Sequence, residues 1–225
     1  MTPVFVNVFN RLTTTRNLCE QISRLDDAIP IIIDNSSDYE PLLEWYDSCE
    51  FEVLRLRENM GHHAPWNSGI VSQYREPFYA VTDCDLDLTG VPADALQHLR
   101  QPLIRDNRIS KVGLSLEIND LPAWQSEVIG WERQFWAKKH RTHSAFYDAW
   151  VDTTFSVYCR DTPHRNAMGV RLALRADRPY TARHIPWYLD CSDLDEENTN
   201  YFATANSSNS WKPNGMNLTS QFSRK

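Results

Sequence analysis

Residues 77–85 read Pro77-Phe78-Tyr79-Ala80-Val81-Thr82-Asp83-Cys84-Asp85. A short apolar run opens on a proline and ends abruptly in acids, the pattern of a buried strand that delivers polar groups to one sheet edge. Asp83, Asp85 and Asp87 are spaced by two, so they project from one face if extended, and two can approach one ion in a tight loop. Clustered carboxylates repel one another unless a cation is present, and hard oxygen ligands suit Mg²⁺ or Mn²⁺. An isolated pair of this kind is also a common solvated turn. The strand before it is what makes a site the better reading.

The same grammar repeats upstream. Pro3 to Val8 is a first strand, and Thr13 to Thr15 cap a helix with Leu18, Ile22 and Leu25 on one face. Ile29 to Ile33 is a second strand, ending in Asp34-Asn35-Ser36-Ser37. Glu40 to Tyr46 reads as a helix, Phe51 to Leu56 as a third strand, and Ala64 to Tyr74 as a helix despite Gly69. Strands separated by helix-length segments predict an α/β fold with a mainly parallel sheet, whose ligands bind beyond the carboxyl ends of the strands. The polar clusters Asn10-Arg11, Asp34-Asn35, Arg57-Glu58-Asn59 and Asp83-Cys84-Asp85 fall at those ends.

Downstream the pattern loosens. Helices are predicted over 92–99, 124–136 and 192–203, and strands over 111–118, 152–158 and 171–174. From residue 205 onward the chain is rich in Asn and Ser, and 206–225 are expected to form a flexible polar tail. The reading is one domain over 1–205, with a nucleotide-binding half to residue 120 and an acceptor and catalytic half over 121–205.

Composition limits the function. Apolar residues make up 41% of 225, and charged residues 24%, ordinary values for a globular domain. The net charge of −7 disfavours nucleic acid as a partner. Five cysteines, Cys19, Cys49, Cys84, Cys159 and Cys191, stand singly without a CxxC pair, which fits a reducing, cytoplasmic setting without disulfides. No apolar run reaches the length of a membrane span, which leaves peripheral contact as the one expected relation to a membrane. No GxGxxG, GxxxxGK[ST] or GxSxG motif is present.

Other candidates carry competing readings. Asp152, in Val151-Asp152-Thr153-Thr154, either caps a turn or serves as a general base; Glu117, Asp120, Asp148, Glu196 and Glu197 compete for that role. Of His62 and His63, one is structural, since adjacent side chains seldom face one target. His184, in Arg183-His184-Ile185-Pro186-Trp187, is a structural histidine or a metal ligand held in place by the rigid Pro-Trp segment, with Arg183 beside it able to meet a diphosphate. Trp124, Trp131, Trp136 and Trp187 are either core or walls for a sugar ring.

In motif order the first 120 residues resemble GT-A glycosyltransferases, especially the family 2-like enzymes that include rhamnosyltransferases. Pro3 to Arg11 resembles the opening strand and nucleotide-binding turn, and Ile31 to Ser37 the second strand with the acidic end that contacts the base. Arg57 to Gly61, followed by Asn67-Ser68-Gly69, resembles the Asn-Gly loop and its helix. Val81 to Asp85 resembles the metal-binding DxD. The second half departs from the common pattern and is similar to a smaller branch found in large viruses and bacteria. The resemblance implies a UDP- or dTDP-sugar donor, a glycan or glycoconjugate acceptor and a role in polysaccharide biosynthesis. It implies Mn²⁺ or Mg²⁺ on Asp83, Asp85 and His184, and a donor site of Asn10, Arg11, Asp34, Asn35, Asn59, His63, Asn67 and Asp83. Asp152 is the candidate base. Two rivals stand beside this reading. A nucleotidyltransferase would want a glycine-rich loop where Phe9-Asn10-Arg11-Leu12 stands, and a non-catalytic sugar- or nucleotide-binding module could share the fold.

Overall fold

A computed structural model describes residues 1–160 and 172–205. Four parallel strands form one half of the main sheet: β1 (Thr2–Val8), β2 (Ala28–Asp34), β3 (Glu52–Arg55) and β4 (Phe78–Asp83). The other half holds β6 (Ile109–Gly113), β8 (Phe146–Asp148), β9 (Ser156–Cys159) and β10 (Leu172–Ala176), and the full order is β3-β2-β1-β4-β9-β6-β10-β8. β9 runs antiparallel between β4 and β6, so one continuous sheet joins the parallel strands to the later ones. A small second sheet, β5-β11-β7, is made of β5 (Leu86–Asp87), β7 (Ser115–Leu116) and β11 (Thr181–His184).

The β-branched run of β2 is buried on both faces, as a central parallel strand requires. On one face Val4, Val6, Val8 and Ile32 pack with Leu18 and Ile22 of α1 (Thr13–Ile22) and with Leu96 and Leu99 of α4 (Ala95–Arg105). On the other, Phe5, Ile31, Ile33, Tyr79 and Val81 pack with Tyr158 and Ile70. The second helix, α2 (Glu40–Tyr46), has the predicted bounds.

Several predictions of local structure are corrected. The helix expected over 64–74 is only α3 (Ala64–Asn67), because Gly69 adopts φ +76° and breaks it; a 3-10 turn follows at Val71–Gln73. The strand expected over 111–118 divides after Gly113 and resumes as β7 in the other sheet. The aromatic helix is a 3-10 turn at Ala123–Gln125, then α5 (Ser126–Glu132), then a second 3-10 turn at Arg133–Trp136. β9 begins at Ser156, so Asp152 lies in a loop rather than in a strand. β5, β8 and β11 were not foreseen, being only 2, 3 and 4 residues long. Arg171 and the 206–225 tail lie outside the described residues.

The last helix, α6 (Glu196–Thr204), starts on Asp195, whose carboxylate accepts from the Asn198 N–H at 2.7 Å. α1 has no side-chain cap from Leu12. Its cap comes from α6: Glu197 accepts from the Thr13 N–H at 3.0 and 3.1 Å and from the Thr13 hydroxyl at 2.8 Å. Among the described residues no helix is long and apolar enough to cross a membrane. All five cysteines are free thiols.

Candidate active site

The carboxyl ends of the parallel strands are in register. Arg55 lies opposite Asp34, Asp34 opposite Val8, and Asn7 opposite Asp83. Beyond them opens a cavity of about 380 Å³, whose walls include Asn7, Asn35, Asn59, Asp83, Asp85, Asp152 and His184.

After β4 the chain turns through Asp83-Cys84-Asp85 into β5, which pairs antiparallel with β11 so that His184 lies opposite Leu86. The Ile185 N–H donates to the Asp85 carbonyl at 2.9 Å. This pairing places His184 Nε2 3.6 Å from Asp85 Oδ1, a buried atom that accepts no hydrogen bond. The ring is 5% exposed and packs edge-on to Trp187, with centroids 4.8 Å apart. Burial pushes the His184 pKa below its ordinary value against the opposing pull of Asp85, favouring the neutral imidazole that ligates metals. Asp83 Oδ2 accepts from the Thr153 hydroxyl at 2.7 Å. Burial, then the charge of Asp85, push Asp83 up to about 8.

A dication between these carboxylates would reverse that repulsion, and two carboxylates with an imidazole form a donor set suited to Mn²⁺. The orphaned acceptor Asp85 Oδ1 fits such an ion. The cage is not closed: among the described residues no group of three His, Cys, Asp or Glu side chains is already disposed to hold a metal. Asp83 turns one oxygen to Thr153 instead. Asp87, third in the acidic series, accepts from Gln21 and Thr89.

Of the expected donor-site residues, Asn35, Asn59 and Asp83 line the cavity. Asn35 donates to Asn59 Oδ1 and to the Gly61 carbonyl, both at 3.0 Å, and accepts from the Met60 N–H at 2.7 Å. The other five are placed elsewhere. The Asp34 carboxylate is buried and accepts from the Ser37 N–H, Tyr46 and Arg55, which directs it into the protein rather than toward a base. Asn10, with φ +49°, accepts from the N–H groups of Asp38 and Tyr39 and donates to Asp38 and Thr204. Arg11 is buried beneath α6, donating to Asn198 at 3.0 Å with its guanidinium 3.7 Å from the Tyr201 ring centroid. Burial opposes its charge, but Asp85 and Tyr201 keep its pKa raised, so Arg11 is a counter-charge behind Asp85. His63 packs against Trp66, and it is His62 that reaches the cavity. Asn67 is exposed on α3, outside the cavity wall.

Asp152 is exposed and lines the same cavity, together with Trp131, Phe135, Trp150 and Trp187. The five competing carboxylates do not line the cavity; Glu117 pairs with Arg178, Asp120 with Arg183, Asp148 with Lys138, and Glu197 caps α1. Arg183 is therefore committed to Asp120, at 2.7 Å, and not to a diphosphate. Trp136 packs on Tyr147 and Arg178, away from the cavity. The wall is braced by a buried ion pair: Arg175 donates to Glu132, its Nε donates to the Trp150 carbonyl at 2.6 Å, and Phe135 lies 4.2 Å from the guanidinium. Burial pushes Glu132 up to about 6 even with Arg175 beside it.

No protein-family model matches the chain, and no curated protein matches it in sequence. Solved structures do. GalNAc-T7 with UDP, GalNAc and Mn²⁺ aligns over 84% of this chain and 44% of its own, with TM-score 0.54 and 12% identity. Residues 1–349 of S. aureus TarS align over 83% and 61%, with TM-score 0.50 and 13% identity. The chain has the GT-A glycosyltransferase fold. A Mycobacterium tuberculosis glucosyl-3-phosphoglycerate synthase solved with Mn²⁺, UDP and glucosyl-3-phosphoglycerate also aligns, at TM-score 0.47 and 13% identity over 82% and 71%. The chain spans less than two thirds of GalNAc-T7 and of the TarS fragment.

Within this GT-A frame several cavity residues went unforeseen. Asn7 had a signal, as a lone amide in the apolar strand Val4–Val8 one residue from its end. Thr153 sat beside a candidate already chosen. Glu132, Arg175 and Tyr201 had none, because only tertiary pairing brings them in.

Proposed function

We propose that this chain is a metal-dependent glycosyltransferase, moving a sugar from a UDP- or dTDP-sugar to a hydroxyl of a glycan or glycoconjugate. The observation that carries the reading is the meeting of Asp85 with His184, beside Asp83, at the ligand edge of a GT-A sheet. These residues would hold Mn²⁺ or Mg²⁺, with Mn²⁺ favoured by the imidazole. When bound, the ion supplies Lewis-acid stabilisation to the departing diphosphate. Diphosphate oxygens would fill positions that the protein leaves open.

Thr153 fixes the orientation of Asp83, and the buried Arg11 guanidinium places a positive charge behind Asp85. The Asn35-Asn59-Gly61 network shapes the nucleoside rim. Asp152, in the same cavity, would take the proton of the acceptor hydroxyl in an inverting reaction. The free thiols fit a cytoplasmic setting, and the charge of −7 fits no nucleic-acid partner.

The test is a donor screen read by nucleotide release, with and without Mn²⁺, across UDP- and dTDP-sugars. dTDP-rhamnose probes the rhamnosyltransferase-like branch. Asp83→Asn and Asp85→Asn should abolish release; Asp83→Asn should leave melting little changed, because burial already favours the protonated carboxyl, whereas Asp85→Asn should lower it by removing the counter-charge of the buried Arg11. Full activity of either variant in chelator would refute the metal site. Nucleotide binding without turnover of any donor would favour a binding module.

A further inference from the structure

The cavity volume of about 380 Å³ is the scale of one small ligand. A nucleotide-sugar consumes it, so an acceptor brings only its reacting end inside and must rest on the rim. The rim is aromatic. Trp150 is 39% exposed and Trp131 36%, and both also line the cavity; Trp124, outside it, is 64% exposed. Singly exposed rings are ordinary, but a series continuous with a cavity marks a binding surface.

The rings nearest the cavity are held. Trp150 is fixed through its carbonyl by Arg175, and its ring lies 4.3 Å from the buried Lys111 ammonium. Trp131 packs edge-on to Phe135 at 5.8 Å. Trp124 stands in the 3-10 turn Ala123–Gln125 that leads into α5, and Trp131 near the end of α5, so the two exposed rings belong to one continuous segment of the rim. Around them Ser126, Glu127, Arg133 and Gln134 are exposed, giving hydrogen-bonding groups of balanced charge. Nucleic-acid bases also stack on tryptophan, but the net charge of −7 repels their backbone.

Resting on the transferase reading, we infer that the acceptor is an uncharged oligosaccharide. Its terminal sugar enters beside Asp152 and Trp150, and the rest of the chain runs over Trp131 to Trp124. A monosaccharide would occupy only the inner end of that path. An acidic glycan would find the carboxylates of Asp152, Asp83 and Asp85 ahead of it.

The full chain is titrated with linear gluco-, manno- and galacto-oligosaccharides, from monosaccharide to hexasaccharide, with heparin as the anionic comparison. Tryptophan fluorescence reports glycan binding, and calorimetry reports UDP and dTDP binding with Mn²⁺ in the same samples. Affinity should rise with length in at least one neutral series. Trp124→Ala should weaken the hexasaccharide by about fivefold to tenfold, the scale of one lost stack. It should leave monosaccharide and nucleotide binding unchanged, and Trp124→Phe should restore most of the loss. Nucleotide binding with no neutral oligosaccharide bound, a flat length profile, preference for heparin, or an inert Trp124→Ala would each overturn the platform alone. So would a dimer abolished by Trp124→Ala. Failure to bind either nucleotide with Mn²⁺ would overturn the transferase reading and the platform with it.

Discussion

Gly113→Ala should damage catalysis from a position that touches no substrate. Gly113 closes β6, opposite Ser156 on one side and Arg175 on the other. A Cβ there would stand 2.6 Å from Val151 Cγ1 and 2.9 Å from both the Phe155 carbonyl oxygen and Ser156 Oγ. These contacts lie at the two ends of the 151–155 loop, which carries Asp152 and the Thr153 hydroxyl that holds Asp83. The loop must move outward. Overpacking of this kind costs about 1–3 kcal/mol, which in a domain of this size lowers Tm by about 2–12 °C. A displacement on the order of 1 Å costs roughly 10²-fold in rate. Nucleotide release with the donor found in the screen should therefore show kcat down by that order, with Mn²⁺ activation shifted to higher concentration because Thr153, which holds Asp83, moves with the loop. Gly130→Ala is the control: a Cβ there meets nothing within 4 Å. In mid-helix it should raise stability by up to about 1 kcal/mol. If Gly113→Ala kept wild-type kcat and Tm, the packing of the loop on β6 would not be what positions Asp152 and Thr153.

The remaining predictions concern the site directly. His184→Ala should raise the Mn²⁺ concentration needed for activity by about 10–100-fold. Because the ring is also buried against Trp187 it will lower Tm, so rescue by excess Mn²⁺ is the deciding measurement, and no rescue removes His184 from the metal. Asp152→Asn should cut kcat by about 10²-fold or more; a product anomer matching that of the donor, seen by NMR, would remove its role as base. Burial lowers the Lys111 pKa from 10.5 to about 8. A base depressed in the folded state destabilises it below that value and ceases to do so as pH rises through 8 to 10.5. Lys111→Met should accordingly raise stability at pH 7 by about 1–3 kcal/mol, after loss of the Trp150 cation–π contact. That gain should vanish by pH 10.5, and a pH-independent gain in thermal melts would refute the shift.

The parallel half of the fold was readable because each of its strands is a β-branched or aromatic run closed by polar residues, as at Ile29–Asp34 and Phe78–Asp83. Periodicity and strand ends are local properties. The second half depends on pairings that no local pattern carries. β5 and β11 are strands because Leu86 and His184 face each other across nearly a hundred residues, and that pairing is what places His184 on Asp85. The acidic pair was legible from its spacing, but Asp34 was not legible as a structural carboxylate. Its partners, Tyr46 and Arg55, come from separate elements. Arg11 looked like a surface ligand and is buried, because α6, from the far end of the chain, covers it.

That helix sets an order of events during synthesis. The first helix of the protein receives its end-cap from Glu197, 184 residues later. Closing a loop of that length is entropically slow compared with forming the β1–β4 core, whose partners emerge early. The β1–α1 turn, and the Arg11 charge behind Asp85, therefore reach their final arrangement last. On a ribosome, a sheet that is already paired would still lack the finished surroundings of Asp85 until residues 196–204 have left the exit tunnel and docked.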